Sequence, residues 1–192
     1  MDAIVARAMA RWPDVPDVYG WLSLDRRGQW RLQGGTIGNL GLRQFISRNY
    51  MALSDGRYVF QNGPQRVFVA LECTPWVASL DGNGELRTHT DAIMTGLQRA
   101  WLDDDGALLL EFSEGLALVD DRDLEALTAT LVDASGAVVN DTAQAEAIEA
   151  LLDAQSPGLS LRWNGEDLPL QRLVRADAAR KFGFVVEPLA PV

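Results

Sequence analysis

Four segments with the spacing Asp-x-x-Gly, each beside apolar runs, constrain the fold of this chain more than any other feature. In a type I turn the Asp carboxylate accepts hydrogen bonds from the first amides, and the Gly adopts the left-handed conformation that returns the chain antiparallel. Each segment therefore predicts a β-hairpin, and Asn164-Gly165 predicts another. The four segments begin at Asp25, Asp81, Asp103 and Asp133.

Two of these hairpins resemble each other in sequence. The segments GWLSLDRRGQWRL (20–32) and PWVASLDGNGELRT (75–88) share a Trp, then Ser-Leu-Asp, then Gly, then an apolar residue followed by Arg. An internal duplication explains this likeness, and so does the general tendency of β-hairpins to use the same types of turn and strand residue. Two similar sheet units therefore remain one of two interpretations.

Helical spacing of apolar residues separates the predicted strands. It predicts a helix over 39–50 with Asn39 as its N-cap, and a helix over 142–155 capped by Asp141 or Thr142. VRADAARKF is a weaker helical segment, and the N-terminal apolar spacing predicts a helix that includes Trp12 and that Pro13 ends.

These elements predict an α+β fold built from antiparallel β-hairpins and small sheets with about three helices. The corresponding domain organisation has an N-terminal helix and linker at 1–16, a first β-rich unit at 17–90 and a second β-rich unit at 91–192. The first unit contains the helix 39–50, and the second contains the helix 142–155.

The charge balance argues against several classes of partner. The chain has 17 basic and 27 acidic residues and a net charge of −10, so it repels nucleic acid and anionic membrane surfaces. It has one cysteine, which excludes an internal disulfide, and no apolar run approaches the roughly 20 residues that span a bilayer. The N-terminus lacks the pattern of a signal peptide. We therefore expect a bacterial cytoplasmic location.

The single cysteine and the single histidine invite comparison with a catalytic pair. A catalytic thiolate needs a basic partner that lowers its pKa, and His89 is the only histidine that could supply one to Cys73. The alternative is that Cys73 continues the apolar face of a strand containing Val67, Val69 and Leu71. We favour the second interpretation and predict no catalytic residue.

Two acidic segments partly resemble metal sites. Asp81, Asn83 and Glu85 match the first ligands of a calcium loop, but the required Gly at position 6 is Leu and the Glu at position 12 is Ala. The acidic segment 120–125 is typical of a solvated helix start. We therefore predict no metal and no cofactor.

A glycine-rich segment before the helix 39–50 suggests a ligand site. LQGGTIGNLGL (32–42) lacks the order of a phosphate-binding loop, so a tight strand-to-helix connection is the simpler interpretation. A pocket between sheet and helix would place arginines near an acidic ligand. The candidate ligand-binding residues are Gly35, Asn39, Arg43, Arg48, Arg57 and Arg66.

The region from Asp17 to Leu173 contains Gly28, Trp30, Gly35, Phe45, Asp55-Gly56-Arg57-Tyr58, Val67, Val69, Pro75-Trp76-Val77 and the segment LSLRWNGEDLPLQRL. With this pattern it resembles a family of uncharacterised proteobacterial proteins, a domain of unknown function. In the segment 62–66 the chain departs from the family pattern. The resemblance implies an α+β fold with small antiparallel sheets, and it supplies no catalytic residue.

Three functional hypotheses remain. The first is a non-catalytic module that binds a protein partner or another copy of itself, since chemical groups are scarce and strands are many. The second is a protein that binds a small acidic ligand in a pocket between a sheet and the helix 39–50, or between two sheet units. The third, a carboxylate-dependent enzyme, has no ordered motif to support it.

Overall fold

The computed structural model describes residues 1–11 and 15–191, so Trp12 and the predicted helix stop at Pro13 lie outside the described residues. The fold is α+β, with two mixed β-sheets and five α-helices in the described part of the chain. Among these helices, none is long and apolar enough to cross a bilayer. The helices are α1 (Ala3–Arg11), α2 (Leu40–Arg48), α3 (Leu124–Thr128), α4 (Asp141–Leu152) and α5 (Arg175–Phe182).

The first sheet has six strands in the order β3-β2-β1-β6-β5-β4. Its two outer strands, β3 and β4, belong to hairpins that flank a central parallel pair, β1 and β6. Its strands are β1 (Val18–Leu24), β2 (Trp30–Leu32), β3 (Gly35–Thr36), β4 (Tyr50–Ala52), β5 (Tyr58–Asn62) and β6 (Gln65–Leu71).

The second sheet has eight strands in the order β12-β13-β14-β9-β10-β11-β7-β8. It contains two parallel pairs, β7 with β11 and β9 with β14. Its strands are β7 (Trp76–Leu80), β8 (Leu86–Thr88), β9 (Arg99–Asp103), β10 (Leu108–Phe112), β11 (Gly115–Val119), β12 (Leu131–Val132), β13 (Ser160–Trp163) and β14 (Glu166–Leu173).

All four Asp-x-x-Gly segments form the predicted turns, and they do so with the same hydrogen bonds. In the first, the Gly28 amide donates to the Asp25 carbonyl at 3.0 Å. The Asp25 carboxylate accepts from the amides of Arg27 and Gln29. The turns at Asp81, Asp103 and Asp133 repeat this arrangement. The Asn164-Gly165 turn likewise joins β13 to β14.

The expectation of purely antiparallel sheets is wrong, because the first sheet contains one parallel pair and the second contains two. Parallel neighbours are joined by long crossovers rather than by turns, so the turn signals in the sequence do not reveal them. The hairpin Trp76–Thr88 also pairs with β11 of the second sheet, although it lies within the predicted first unit, 17–90. The division of the chain near residue 90 stays a prediction.

The two sheets share one five-strand arrangement. The order β2-β1-β6-β5-β4 in the first corresponds strand for strand to β8-β7-β11-β10-β9 in the second, including the parallel pair. Asp25 and Asp81 lie 56 residues apart, and the arginine at the same spacing pairs with each: Arg31 with Asp25 at 3.0 Å, and Arg87 with Asp81 at 2.7 Å. Residue types that β-hairpins share do not dictate pairing with a distant parallel strand, so the structure favours duplication. We call the two arrangements repeat 1 and repeat 2.

The helices correct three details of the prediction. Five helices form rather than about three, and α2 runs over Leu40–Arg48 rather than 39–50. Asn39 caps α2 as predicted, since its side chain accepts from the Leu42 amide at 2.9 Å. The cap of α4 is Asn140, whose side chain accepts from Ala143, so neither of the two predicted caps holds that role. The local rule allowed several adjacent polar residues, and tertiary packing selected one.

A continuous apolar core joins the two sheets and includes Trp30, Trp76 and Trp101. The segment after α5 returns to repeat 1, where the Val185 amide donates to the Gly56 carbonyl at 2.9 Å. A β-carbon on Gly56 would collide with the carbonyl oxygen of Gly183. Gly56 is therefore required for the close approach of the C-terminal segment.

Candidate functional site

A solvent-open cleft of about 440 Å3 lies where helix α2 meets the junction of the two repeats. One wall is α2, and the opposite side is formed by the first hairpin of repeat 1 and by the chain that follows β8 in repeat 2. We call this the α2 cleft. Its lining residues are Gly28, Trp30, Leu40, Arg43, Gln44, Ser47, Arg48, His89, Thr90 and Asp91.

His89 lies among aromatic side chains at the base of this junction. Its ring centroid is 5.1 Å from that of Trp30, 5.4 Å from Tyr50 and 5.8 Å from Trp76. A β-carbon built on Gly28 would lie 2.6 Å from the His89 β-carbon, so only glycine fits there. The hairpin turn of repeat 1 is thereby pressed against His89 of repeat 2.

The imidazole of His89 is neutral and has one unpaired donor. Burial lowers the pKa of His89 to about 3. The Val77 amide donates to Nδ1 at 3.3 Å, so the ring proton is assigned to Nε2. Nε2 is enclosed without a hydrogen-bond partner, although the residue as a whole is partly exposed. An enclosed donor without an acceptor is costly, which makes this atom unusual.

Arg43 and Arg48, one turn and a half apart on α2, both line the cleft but differ in their partners. The Arg48 guanidinium contacts the Asp2 carboxylate at 3.3 Å, so its charge is compensated. The Nε of Arg43 is enclosed without a partner, and Arg43 forms no ion pair among the described residues. Asp91, on the opposite wall, lies 3.7 Å from the Arg87 guanidinium. Arg43 is therefore the uncompensated cation of the cleft.

The other predicted ligand residues lie outside the lining of the α2 cleft. Arg57 donates to Asp55 at 2.8 Å and stacks over the ring of Phe68 at 4.5 Å. Arg66 is exposed on β6. Gly35 belongs to the edge strand β3, and Asn39 is occupied as the cap of α2. The structure thus brings together Arg43 and Arg48 but not Arg57 or Arg66, and the ligand role of all six residues stays a prediction.

Cys73 and His89 lie in different surroundings. Strand β6 ends at Leu71, so Cys73 does not continue it as predicted, but its side chain is partly buried against the core. Burial raises the pKa of the Cys73 thiol, with a smaller opposing effect from Arg175. Cys73 lines a narrow crevice with Asp103 and Arg175. The surroundings of the thiol favour the protonated, unreactive form.

Asp103 forms the most enclosed ion pair of the described chain. Its carboxylate accepts from the Ala107 amide at 2.7 Å and from Arg175 Nε at 2.8 Å. The second amino nitrogen of Arg175 is also 2.7 Å from this carboxylate, although its orientation does not meet hydrogen-bond geometry. Arg175 also contacts Asp105. The cluster ties α5 to the β9–β10 turn, which is a structural role.

The two acidic segments considered as metal sites are used by the fold. The Asp81 carboxylate accepts from the Asn83 and Glu85 amides and pairs with Arg87. These contacts lower the pKa of Asp81. Asp120 begins a 3-10 turn by accepting from the Arg122 amide at 3.0 Å, so the predicted helix start forms, although Asp120 itself is buried rather than solvated. The segment at Asp81 is therefore a hairpin turn, and the segment at Asp120 is a capped helix start.

Sequence reasoning did not predict the place of His89. The fold surrounds His89 with Trp30, Tyr50 and Trp76, each from a different strand, rather than with Cys73. The 56-residue offset aligns His89 with Gln33, and the two amides donate equivalently to the carbonyls of Val77 and Trp21. The contact of His89 with the turn at Gly28 joins the two repeats, and no sequence signal encodes it.

A comparison with protein families identifies the family of this chain. A family model described as "Protein of unknown function (DUF2946)" matches residues 1–189. The chain belongs to this family. The predicted resemblance to a family of unknown function is confirmed, and nothing in it points to catalysis or to a specific activity. No curated protein matches the chain.

Two solved structures match this chain, and the first has a similar fold. A DUF1285 family protein from Silicibacter pomeroyi has a TM-score of 0.53 at 18% identity, over 89% of this chain and 96% of that one. A DUF1285 family protein from Shewanella baltica has a TM-score of 0.41 at 13% identity, over 55% of this chain and 87% of that one. At such identity the first likeness concerns the fold alone.

Proposed function

We propose that this protein binds a small acidic ligand in the α2 cleft, with Arg43 as the group that recognises the ligand's negative charge. The observation that carries the proposal is the unmatched donors of the cleft. Four side-chain atoms of the described chain are enclosed without a partner, and two of them, Nε of Arg43 and Nε2 of His89, belong to residues that line this cleft. Buried donors normally find acceptors, so a ligand acceptor is the natural complement.

The charges of the cleft favour a ligand with one negative charge. Arg48 is compensated by Asp2, and His89 is neutral. Arg87 is shared by Asp81, Glu85 and Asp91, so Asp91 keeps part of its negative charge at the opposite wall. Arg43 pairs with no carboxylate of the described residues and offers one positive charge to a ligand. A carboxylate matches the fork of a guanidinium and accepts hydrogen bonds in two directions. Apolar contact comes from Leu40 on the rim. The preferred ligand is therefore a monocarboxylate with an apolar or flat body.

Access to the enclosed nitrogens requires local movement. Neither Nε of Arg43 nor Nε2 of His89 is exposed in this structure, so the side chains on the open face of α2 must change rotamer as the ligand enters. Changes of this kind are common at binding sites with little backbone motion. Arg43 is only partly buried, so it needs little movement to reach a ligand in the cleft.

The proposal is tested by calorimetric titration with sodium benzoate, a flat monocarboxylate, at pH 7. We expect saturable binding that Arg43→Gln weakens by at least about tenfold, the worth of one charge-assisted hydrogen bond. The matched control is Arg66→Gln, which removes the same charge from an exposed site outside the cleft. Equal loss in both variants, or no binding with no retained small molecule in native mass spectrometry, contradicts the proposal.

A protein-interaction role is the second candidate, and a separate observation favours it. Trp21 and Leu32, both on the first hairpin of repeat 1, are 54% and 46% exposed. Large aromatic side chains exposed on a strand are enriched at protein interfaces. The two roles use different surfaces and are compatible, and the predicted cytoplasmic location belongs to both.

A further inference from the structure

The two repeats differ in how their first strands are covered. In repeat 2, β7 is buried on both faces, with Val77 at 3% and Ala78 at 0% exposure. In repeat 1, the equivalent strand β1 buries Leu22 at 3% but leaves Trp21 at 54%. Trp21 and Val77 are equivalent positions, 56 residues apart, and each carbonyl accepts one equivalent amide. One side of β1 therefore lacks the cover that β7 has.

The cover over β7 is the hairpin turn of repeat 1. A β-carbon built on Gly28 would lie 3.4 Å from the Val77 β-carbon and 2.6 Å from that of His89. The Asp25–Gly28 turn thus packs on the Val77 side of repeat 2. The equivalent turn of repeat 2, Asp81–Gly84, lacks this contact in the described part of the chain, because no atom lies within 4 Å of a β-carbon built on Gly82 or Gly84.

The uncovered strand β1 and the unused Asp81–Gly84 turn correspond to the two surfaces that meet at the contact between the repeats. Within the chain, the turn of repeat 1 packs on the strand of repeat 2. If a second copy continues this arrangement, the Asp81–Gly84 turn of one copy packs on Trp21 of the next. The contact continues the internal interface between the repeats, and its geometry is head-to-tail rather than two-fold symmetric.

The sizes of the residues match this arrangement. Inside the chain, a small residue, Val77, meets the turn Asp25-Arg-Arg-Gly28. At the free ends, a large residue, Trp21, would meet Asp81-Gly-Asn-Gly84, in which glycine replaces the first arginine. The turn that would meet the larger residue is therefore the turn with the smaller side chains.

We propose that this protein associates head-to-tail with copies of itself, with the Asp81–Gly84 turn of one copy packing on Trp21 of the next. The inference rests on the interaction role proposed for the first hairpin and is independent of the α2 cleft. The partner is a second copy of this chain, and the association is open-ended unless the rotation between copies closes a ring.

Sedimentation equilibrium over a wide concentration range tests the association of the wild-type chain. We expect the average mass to rise with concentration beyond that of a dimer. Trp21→Ser removes the exposed indole without touching the core, and Gly84→Asn adds bulk at the turn while keeping the left-handed conformation that Asn tolerates. Each variant should weaken association by at least about tenfold, as expected for an aromatic anchor.

The matched control is Gly106→Asn. Gly106 has φ +78, close to the +77 of Gly84, and no atom within 4 Å of its built β-carbon, but the proposed contact does not include it. Gly106→Asn should therefore associate as the wild type does. Circular dichroism at low concentration confirms that each variant remains folded.

Mixing the two variants distinguishes head-to-tail association from any other. Trp21→Ser keeps an intact turn and Gly84→Asn keeps an intact Trp21, so an equimolar mixture should form a dimer that does not grow. A wild-type chain that stays monomeric overturns the proposal and the interaction role through self-association. Association that Trp21→Ser abolishes but Gly84→Asn leaves intact keeps the interaction role and overturns the head-to-tail contact.

Discussion

Substitutions at Gly28 and Gly84 form a matched pair that measures how closely the two repeats pack at their junction. Both end equivalent hairpin turns in the left-handed region, with φ +72 and +77. Replacing either with Ala places a β-carbon in a conformation that costs L-residues about 1–2 kcal/mol. At Gly84 that strain is the whole cost, because the β-carbon meets no atom within 4 Å.

At Gly28 a steric cost adds to the strain. The new β-carbon would lie 2.6 Å from the β-carbon of His89, a backbone-anchored atom that cannot turn away. Overpacking of this kind costs roughly 1–3 kcal/mol. We expect Gly28→Ala to lower the free energy of unfolding by about 2–5 kcal/mol and Gly84→Ala by about 1–2 kcal/mol.

Urea unfolding followed by tryptophan fluorescence measures both changes, at a concentration low enough to keep the chain monomeric. The informative quantity is the difference between the two variants, in which the shared backbone strain cancels. Equal destabilisation by the two substitutions would refute the reasoning, since it would mean that the Asp25–Gly28 turn does not press on His89.

Two further predictions concern buried ionisable side chains. His89 has its pKa lowered from 6.5 to about 3, so the unfolded chain takes up the proton first as the pH falls. The stability contributed by the neutral ring is complete above pH 6.5 and is lost toward pH 3, by roughly 3 kcal/mol between pH 6.5 and 4. Urea midpoints across this interval should fall less steeply for His89→Gln, and parallel curves would contradict the assignment. Arg175→Met leaves one oxygen of the buried Asp103 carboxylate without its cation and should cost roughly 3 kcal/mol. Arg162→Met, at a pair in which both side chains are 40% exposed, should cost about 1 kcal/mol or less, and equal losses would refute the distinction.

The hairpins were predictable from sequence because their determinants are local. An Asp that caps its own turn and a Gly three residues later specify a turn within five residues, and all four such turns formed. The cap at Asn39 is predictable for the same reason. The choice of Asn140 over its neighbours as the cap of α4 depends on where the helix packs, which the local pattern does not contain.

The α2 cleft was only partly predictable because its residues meet through long-range pairing. Arg43 and Arg48 share α2, which follows from the sequence, although five residues place them roughly 140° apart around its axis. Trp30 and His89 come together because the Asp25–Gly28 turn of repeat 1 packs against repeat 2, and no turn signal encodes that contact. The candidate arginines Arg57 and Arg66 were grouped with them by charge alone.

The cleft and the exposed strand both arise because the two repeats are unequal. Repeat 1 contains α2 between β3 and β4, whereas the corresponding part of repeat 2 is a short connection from the bridge at Ile93 to β9. The extra helix lies over the junction and creates a cleft that a symmetric pair of repeats would lack. The same junction uses the turn of repeat 1 and the strand of repeat 2, which leaves the turn of repeat 2 and Trp21 without partners. A duplicated chain that satisfies one internal contact necessarily leaves one copy of each half free.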